Sequence, residues 1–347
     1  MSTDQDQLTR IGPSTRSQVW HGSRTLASNI GIEQIADHLE TDHDAMAWWC
    51  VPRTAAAMVP TADLLGLDRF AVDDVIGPRE APKLDAVGGT VIVITAEIAF
   101  DPPTAELMVQ RVSILATDRA LVLIADDGPL ATLAPLLDDC AGRMQADGIA
   151  AGLHVVLAAL VDGYAAALEA MEEATDALTS ALFDDKPMGK AEQLRAFRMR
   201  QAISHLRKVA APMTEITAAL AGAAARAPNE QDDDPVADLL AASTTRRFAD
   251  LADHARHAAD STTGLRELLT SAFETNLALA DVHLNTIMKK LSAWAAIIAV
   301  PTLVTGFFGM NVPYPGFGEG GGFIVGLLIM VGAVVTLFVL FRRNDWL

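Results

Sequence analysis

Two long apolar stretches near the carboxyl end dominate the hydrophobic pattern of the chain. They cover residues 291–308 and 323–341, and the whole region 291–341 carries a single charge, Glu319. Each stretch has about 18 to 19 residues, enough for a helix to cross a hydrocarbon core of about 30 Å. The pattern predicts a two-span transmembrane hairpin, joined by an external loop at 311–322 that is rich in Gly and Pro. A buried helical hairpin in a soluble protein stays open as an alternative.

Basic residues flank this hairpin on one side. Lys289 and Lys290 precede the first stretch, Arg342 and Arg343 follow the second, and the loop between the stretches has no Lys or Arg. The positive-inside rule then predicts that both chain ends are cytoplasmic, with 342–347 as a basic cytosolic C-terminus of a cell-membrane protein. The polar N-terminus has no apolar segment of the kind found in signal peptides.

The region 41–150 alternates between short apolar runs and turn residues, which predicts a cytosolic α/β domain. Residues 1–40 are predicted to be a mobile tail. Strands are expected at Ala47–Val51, Thr90–Ile98, Met108–Leu115 and Ala120–Ala125, and helices around Thr54–Leu65 and Leu130–Met144.

Helical periodicity replaces this alternation from about residue 151. A helical hairpin is predicted over 151–234, and a long stalk helix over 235–310 that continues as the first transmembrane span. Asp234-Pro235 is a typical helix N-terminus, with an N-cap acceptor followed by proline at the first helical position. The predicted stalk contains no further proline before Pro301. The fold class expected is therefore an α/β cytosolic domain with a helical stalk and a transmembrane hairpin.

Composition narrows the possible functions. The chain is 51% hydrophobic with a net charge of −18. Such a chain is not disordered, and its acidity argues against nucleic acid as a partner because phosphate binding needs a basic surface. The two cysteines, Cys50 and Cys140, are too few for a disulfide scaffold or a structural zinc site. No nucleophile–base pair, catalytic metal motif or nucleotide loop is evident, so we do not expect an enzyme.

One face of the first span has the properties of a pore lining. Its residues recur at a mean spacing of about 3.5, which keeps them on one side of a helix within a bundle, although ordinary packing of small residues would give the same pattern. The face is polar at its start, apolar in the middle and small towards the outside. It consists of Asn285, Met288, Leu291, Ala295, Ala299, Thr302 and Gly306.

The tripeptide Gly309-Met310-Asn311 stands directly after this span. Glycine can end a helix with its carbonyls exposed, and Asn311 offers an amide oxygen. Because Mg²⁺ gives up its water reluctantly, a ring of neutral oxygens suits an ion that keeps its hydration shell. A single hairpin cannot enclose a channel, so such a role requires several identical subunits.

These residues resemble the CorA family of magnesium channels. The resemblance rests on the segment from Asn285 through Pro301 to Asn311, with weaker matches at Pro82–Asp85 and Asp250–His254. It implies a funnel-shaped homopentamer in the lipid bilayer that transports divalent cations, with Mg²⁺ both transported and regulatory.

The resemblance also implies roles for individual residues. Gly309, Met310 and Asn311 would form the selectivity loop, and Met288 and Leu291 the hydrophobic gate. Asp250 would belong to a regulatory metal site between subunits, with Asp253 one turn away. The acid that the family would place near 87–89, as a partner of Asp250, is missing from this sequence. The loop after Asn311 also departs from the family pattern, and Glu319 would attract cations from a displaced position.

Two other functions stay open at this point. One is transport of Zn²⁺, Co²⁺ or Ni²⁺ by the same architecture, because nothing in the sequence discriminates among divalent ions. The other is a membrane-anchored sensor or scaffold whose hairpin does not conduct.

Overall fold

The computed structural model describes residues 16–77, 81–182, 190–226, 234–240, 244–310, 315 and 320–347. The chain folds as two units. The first unit contains a seven-stranded sheet with helices on both faces and ends within the long helix near Leu269. The second unit contains the rest of that helix and the last helix of the chain.

Seven strands form the sheet in the order β2-β1-β3-β7-β6-β5-β4. All neighbours are antiparallel except the parallel pair β3 and β7. The strands are β1 Ser17–His21, β2 Arg24–Ser28, β3 Ala45–Pro52, β4 Lys83–Val87, β5 Thr90–Asp101, β6 Glu106–Ala116 and β7 Ala120–Ala125.

Nine helices accompany these strands in the described part of the chain. Those of the sheet unit are α1 Ile32–Thr41, α2 Ala55–Leu65, α3 Arg69–Ile76, α4 Asp127–Asp147, α5 Ile149–Leu182, α6 Lys190–Ala225 and α7 Pro235–Leu239. The long helix is α8 Thr245–Phe308, and the last is α9 Gly320–Arg343.

Burial on both faces explains why the central strands are almost continuously apolar. One face of β3 packs with α1, α2 and α3 in a single core that includes Ile35, Trp49 and Met58. On the other face the hydroxyl of Tyr164 in α5 donates to the carbonyl of Ala96, 2.7 Å away. A strand covered on both sides needs apolar residues at every position, and β7 is buried along its whole length.

The four strands and two helices expected in this region are confirmed, with their ends shifted by a few residues. The boundary of a mobile tail at residue 40 was wrong. Residues 17–41 form β1, β2 and α1, and Val19 and Trp20 are buried in the sheet. The polar appearance of this segment has a physical reason: β1 and β2 are short, and β2 at the edge buries little of its surface.

The long helix also begins later than expected. Asp234 caps a helix as predicted, but this helix ends at Leu239 because Leu240 is extended, with φ −96° and ψ 107°. Leu240 and Thr244 are buried on either side of the break, and α8 starts at Thr245, whose hydroxyl donates to the carbonyl of Ala224. Burial of these side chains in the sheet unit outweighs the local helical preference.

Candidate ion path

The second unit contains the two apolar helices at the carboxyl end. A third helix, α5, is also long and apolar enough to span a membrane, but 56% of its most apolar window is buried. The corresponding fractions are 11% for α8 and 6% for α9. The hydrophobicity of α5 is therefore that of a core helix in the sheet unit, whereas α8 and α9 expose their apolar surface.

Each apolar helix has one covered stripe. The stripe of α8 is formed by Ala293, Ile297, Val300, Val304 and Phe308, and that of α9 by Gly322, Gly326, Met330, Ala333 and Leu337. The stripes meet where the ring of Phe308 lies against Gly326. A Cβ atom at Gly326 would lie only 3.0–3.2 Å from three ring carbons, so glycine permits a close approach that a larger residue would push apart by a few tenths of an ångström. The sequence interpretation missed this pair, although the glycines spaced four apart at the start of α9 are a signal of close helix packing.

Six of the seven residues of the predicted pore face lie on the opposite side of α8, and the first, Asn285, lies about 100° from the stripe. At about 100° of rotation per residue, the average direction of this face is roughly 180° from the covered stripe. Every member is exposed in the single chain: Asn285, Met288, Leu291, Ala295, Ala299, Thr302 and Gly306. The structure therefore gathers the predicted residues on one surface that α9 does not cover.

The hydroxyl hydrogens on this part of α8 are used within the helix. Thr302 donates to the carbonyl of Ile298 at 3.1 Å, and Thr305 donates to the carbonyl of Pro301 at 2.8 Å. The oxygen of Thr302 keeps acceptor capacity on the exposed face. Such an oxygen can accept from the water shell of a cation.

The predicted selectivity loop begins at the last turn of α8. The amide of Gly309 donates to the carbonyl of Thr305 at 2.9 Å, and the amide of Met310 donates to the carbonyl of Phe307 at 3.2 Å. The Met310 bond spans three residues rather than four and tightens the end of the helix. A Cβ atom at Gly309 would lie 3.0 Å from the Thr305 carbonyl oxygen, which explains the glycine. Asn311 and Glu319 lie outside the described residues.

Asp250 and Asp253, the predicted regulatory acids, are exposed near the start of α8. They line a shallow depression together with Arg246 and Arg247, and Arg256 lies 3.6 Å from Asp253. No third acid, His or Cys of the described chain completes a metal-binding group with them. One chain thus provides two carboxylates beside arginines, and a bound ion would need further ligands from another subunit.

The position where a partner acid was expected, residues 87–89, lies at a tight turn of the sheet. Val87 ends β4, and Gly88 and Gly89 form the turn to β5 with φ of 57° and 83°. The turn needs this backbone conformation, which glycine adopts at little cost. No carboxylate is available at this position.

A different group of possible metal ligands lies at the other end of the sheet. Ligand atoms of His21, Asp42 and Asp44 all lie within 4.8 Å of one another. Nδ1 of His21 is 2.5 Å from a carboxylate oxygen of Asp42, and this hydrogen bond lowers the pKa of Asp42. The sequence interpretation missed the group because β1 and the end of α1 are brought together only by the fold.

Comparison with known proteins identifies the family. The model of the family described as CorA-like Mg²⁺ transporter protein matches residues 52–343, most of the chain. The chain belongs to this CorA-like family. Membership accounts for the sheet domain, the long helices and the apolar C-terminal helices, and it confirms the resemblance and the fold class inferred from the sequence.

Individual relatives extend the comparison. The "Cobalt/magnesium transport protein CorA" of Methanocaldococcus jannaschii is 35% identical over 101 residues, 29% of this chain and 32% of that protein. This match therefore spans about a third of the relative's length. The complete structure of the CorA magnesium transporter from the same organism is 19% identical, covers 95% of this chain and 98% of its own, and has a TM-score of 0.72. The structure of full-length CmaX is 21% identical, covers 95% and 97% of the two chains and has a TM-score of 0.69.

Proposed function

We propose that this CorA-like chain is one subunit of a homopentameric channel that conducts Mg²⁺ into the cell down its electrochemical gradient. The observation that carries the proposal is the exposed face of α8 opposite its covered stripe. Thr302 lies within the apolar stretch, and in lipid its hydroxyl oxygen would have no donor to accept from, whereas around a symmetry axis it would face water and ions.

The route follows from the order of residues along this face. An ion entering from outside meets the selectivity loop, Gly309 to Asn311, and next the hydroxyl oxygen of Thr302. It then passes the narrow apolar part of the face, which closes by excluding water, and leaves past Asn285. Neutral oxygens hold the hydrated ion loosely enough for it to move on, whereas a ring of carboxylates would retain it.

Flux measurements on reconstituted protein test the proposal. Vesicles containing the intact chain should take up Mg²⁺ down a concentration gradient, and Asn311→Ala should abolish that uptake. Asn344→Ala is the matched control, because Asn344 is an exposed asparagine at the far end of α9 whose side-chain amide donates to the carbonyl of Leu340. Absence of flux with the intact chain would contradict the channel and favour a non-conducting sensor or scaffold.

The same vesicles address the choice of ion. The name of the M. jannaschii relative includes cobalt, so Co²⁺ is the rival that a specific observation favours. We expect Asn311→Ala to remove Mg²⁺ and Co²⁺ flux together, because the loop binds the water shell rather than the metal. Co²⁺, Ni²⁺ or Zn²⁺ flux without Mg²⁺ flux in the intact chain would instead support a transporter for those ions, and Mg²⁺ flux that is unaltered by Asn311→Ala would remove Asn311 from the selectivity loop.

Regulation is proposed to act through Asp250 and Asp253. Cytosolic Mg²⁺ bound between subunits would hold the pore closed, and loss of the ion at low Mg²⁺ would let carboxylate repulsion loosen the assembly. Replacing both acids by Ala should relieve inhibition of uptake by internal Mg²⁺. Inhibition that stays the same in this variant removes the two acids from the sensor but leaves the channel proposal intact. Counting the subunits of the purified particle tests the pentamer.

A further inference from the structure

The basic side chains at the ends of the apolar helices have no assigned role. Lys289, Lys290, Arg342 and Arg343 are all exposed, and within the described part of the chain none of them forms an ion pair. A group of four cations is a local reversal of sign in a chain whose net charge is −18. Some other basic side chains have acidic neighbours, as Arg16 does with Asp138 at 2.7 Å.

The two basic pairs lie at similar distances, measured along α8 and α9, from the point where these helices touch. Phe308 touches Gly326. From this contact α8 runs back 18 residues to Lys290, about 27 Å, and α9 runs on 17 residues to Arg343, about 26 Å. Because a short loop joins the helices into a hairpin, both pairs end on the same side. Their distance from the contact is close to the thickness of a hydrocarbon core.

Residues 344–346 fold back onto the last turn of α9, beside the arginine pair. The ring of Trp346 stacks on Phe341 with centroids 5.5 Å apart, and its backbone amide donates to the Phe341 carbonyl at 2.9 Å. The side chain of Asn344 donates to the carbonyl of Leu340 at 2.8 Å. These bonds satisfy carbonyls at the helix end, so the guanidinium groups stay available to an external anion.

An aromatic side chain also marks the lysine side. Trp294 lies one turn beyond Lys290 and is 51% exposed. Tryptophan in this position is typical of the boundary between headgroups and hydrocarbon. Along the sequence, Asp345 is the one acid within five residues of either basic pair, against four cations.

We propose that these four side chains bind the phosphate headgroups of anionic phospholipids, of the phosphatidylglycerol kind, in the leaflet that they face. Arginine presents a planar fork that matches phosphate oxygens, and lysine adds a point charge. The binding offsets the repulsion between an anionic membrane surface and the acidic body of the protein. The inference rests on the proposed orientation of the hairpin and not on the transport of any ion.

Association of spin-labelled lipids with the full chain in phosphatidylcholine vesicles tests this site. We expect labelled phosphatidylglycerol to be favoured over labelled phosphatidylcholine by about fivefold or more, and less so at high salt. Replacing all four cations by Gln should bring the ratio close to one. The matched control is Arg207→Gln with Lys208→Gln, an exposed basic pair on α6, which should leave the ratio unchanged.

Two further measurements keep the test decisive. If the fourfold variant does not fold, the Lys289→Gln/Lys290→Gln and Arg342→Gln/Arg343→Gln pairs should each lower the ratio, whereas Arg342→Lys/Arg343→Lys should largely retain it. An unchanged ratio in the Gln variants overturns the proposal. So does loss of the preference when inorganic phosphate is added at constant ionic strength, which would indicate a site for free phosphate. Since no ion flux is measured, failure here is distinguishable from failure of the channel.

Discussion

The contact between Phe308 and Gly326 predicts that a larger residue at position 326 destabilises the packing of the two apolar helices α8 and α9. Replacing Gly326 by Val places a branched side chain where even a Cβ atom would come within 3.0–3.2 Å of three ring carbons. The ring lies at the end of α8 and makes an edge contact with the ring of Phe307, with centroids 5.7 Å apart. The helices must separate or the ring must leave its position.

The expected cost follows from known overpacking effects. Forcing extra atoms into a well-packed contact typically costs about 1–3 kcal/mol, which is about a 5-fold to 150-fold change in an unfolding equilibrium. Gly332→Val is the matched control on the same helix, because a Cβ atom there meets nothing within 4 Å. Valine also has a better helix propensity than glycine, so this control should be neutral or slightly stabilising.

Reversible unfolding in mixed micelles with increasing dodecyl sulfate, followed by circular dichroism, measures the difference. We expect Gly326→Val to unfold at clearly lower detergent fraction than the wild type, and Gly332→Val to unfold with the wild type. Equal destabilisation of the two variants, or none at position 326, would refute the close approach of α8 and α9.

The remaining three predictions concern the sheet unit. Tyr164→Phe should destabilise this unit by about 1–3 kcal/mol, measured by urea unfolding, because it keeps the ring but leaves a buried carbonyl and hydroxyl of β5 without their partner. Burial raises the pKa of Cys50 to about 12 and also raises that of Cys140, so both thiols stay protonated at pH 8 and should react with a maleimide only after unfolding. Rapid labelling of the folded protein would contradict the burial of these thiols. Because the folded state holds the thiol proton more tightly, stability should also fall as the pH rises above about 9, the ordinary pKa of the thiol.

The extent to which sequence predicted the fold depended on how each segment is buried. Strands covered on both faces, such as β5 and β7, are nearly continuous apolar runs and were predicted closely. β1 and β2 were missed because runs of only five residues carry little signal, and β2 is in addition a weakly buried edge strand. The break at Leu240 was missed for another reason: it is set by tertiary burial, and the local sequence has no helix-breaking residue there.

In the candidate site, positions along one helix could be related from the sequence, whereas contacts between different elements could not. Periodicity along one helix was enough to select the face of α8, since residues about 3.5 apart share a side in any helical structure. The Phe308–Gly326 contact and the His21–Asp42 pair join residues from different elements, and their sequence spacing gives no information about distance. Packing between elements therefore had to come from the structure.

The central claim is that one face of α8 lines an ion path, and introduced cysteines test it most directly. Thr302→Cys lies on the proposed face, and Leu328→Cys, at a position that is 66% exposed, lies on the side of α9 that points away from α8. Both can be treated from outside with a small cationic methanethiosulfonate, with the native protein as the control. The account predicts that Mg²⁺ uptake is blocked in Thr302→Cys and continues in Leu328→Cys. Equal block of both variants, or block of Leu328→Cys alone, would contradict it.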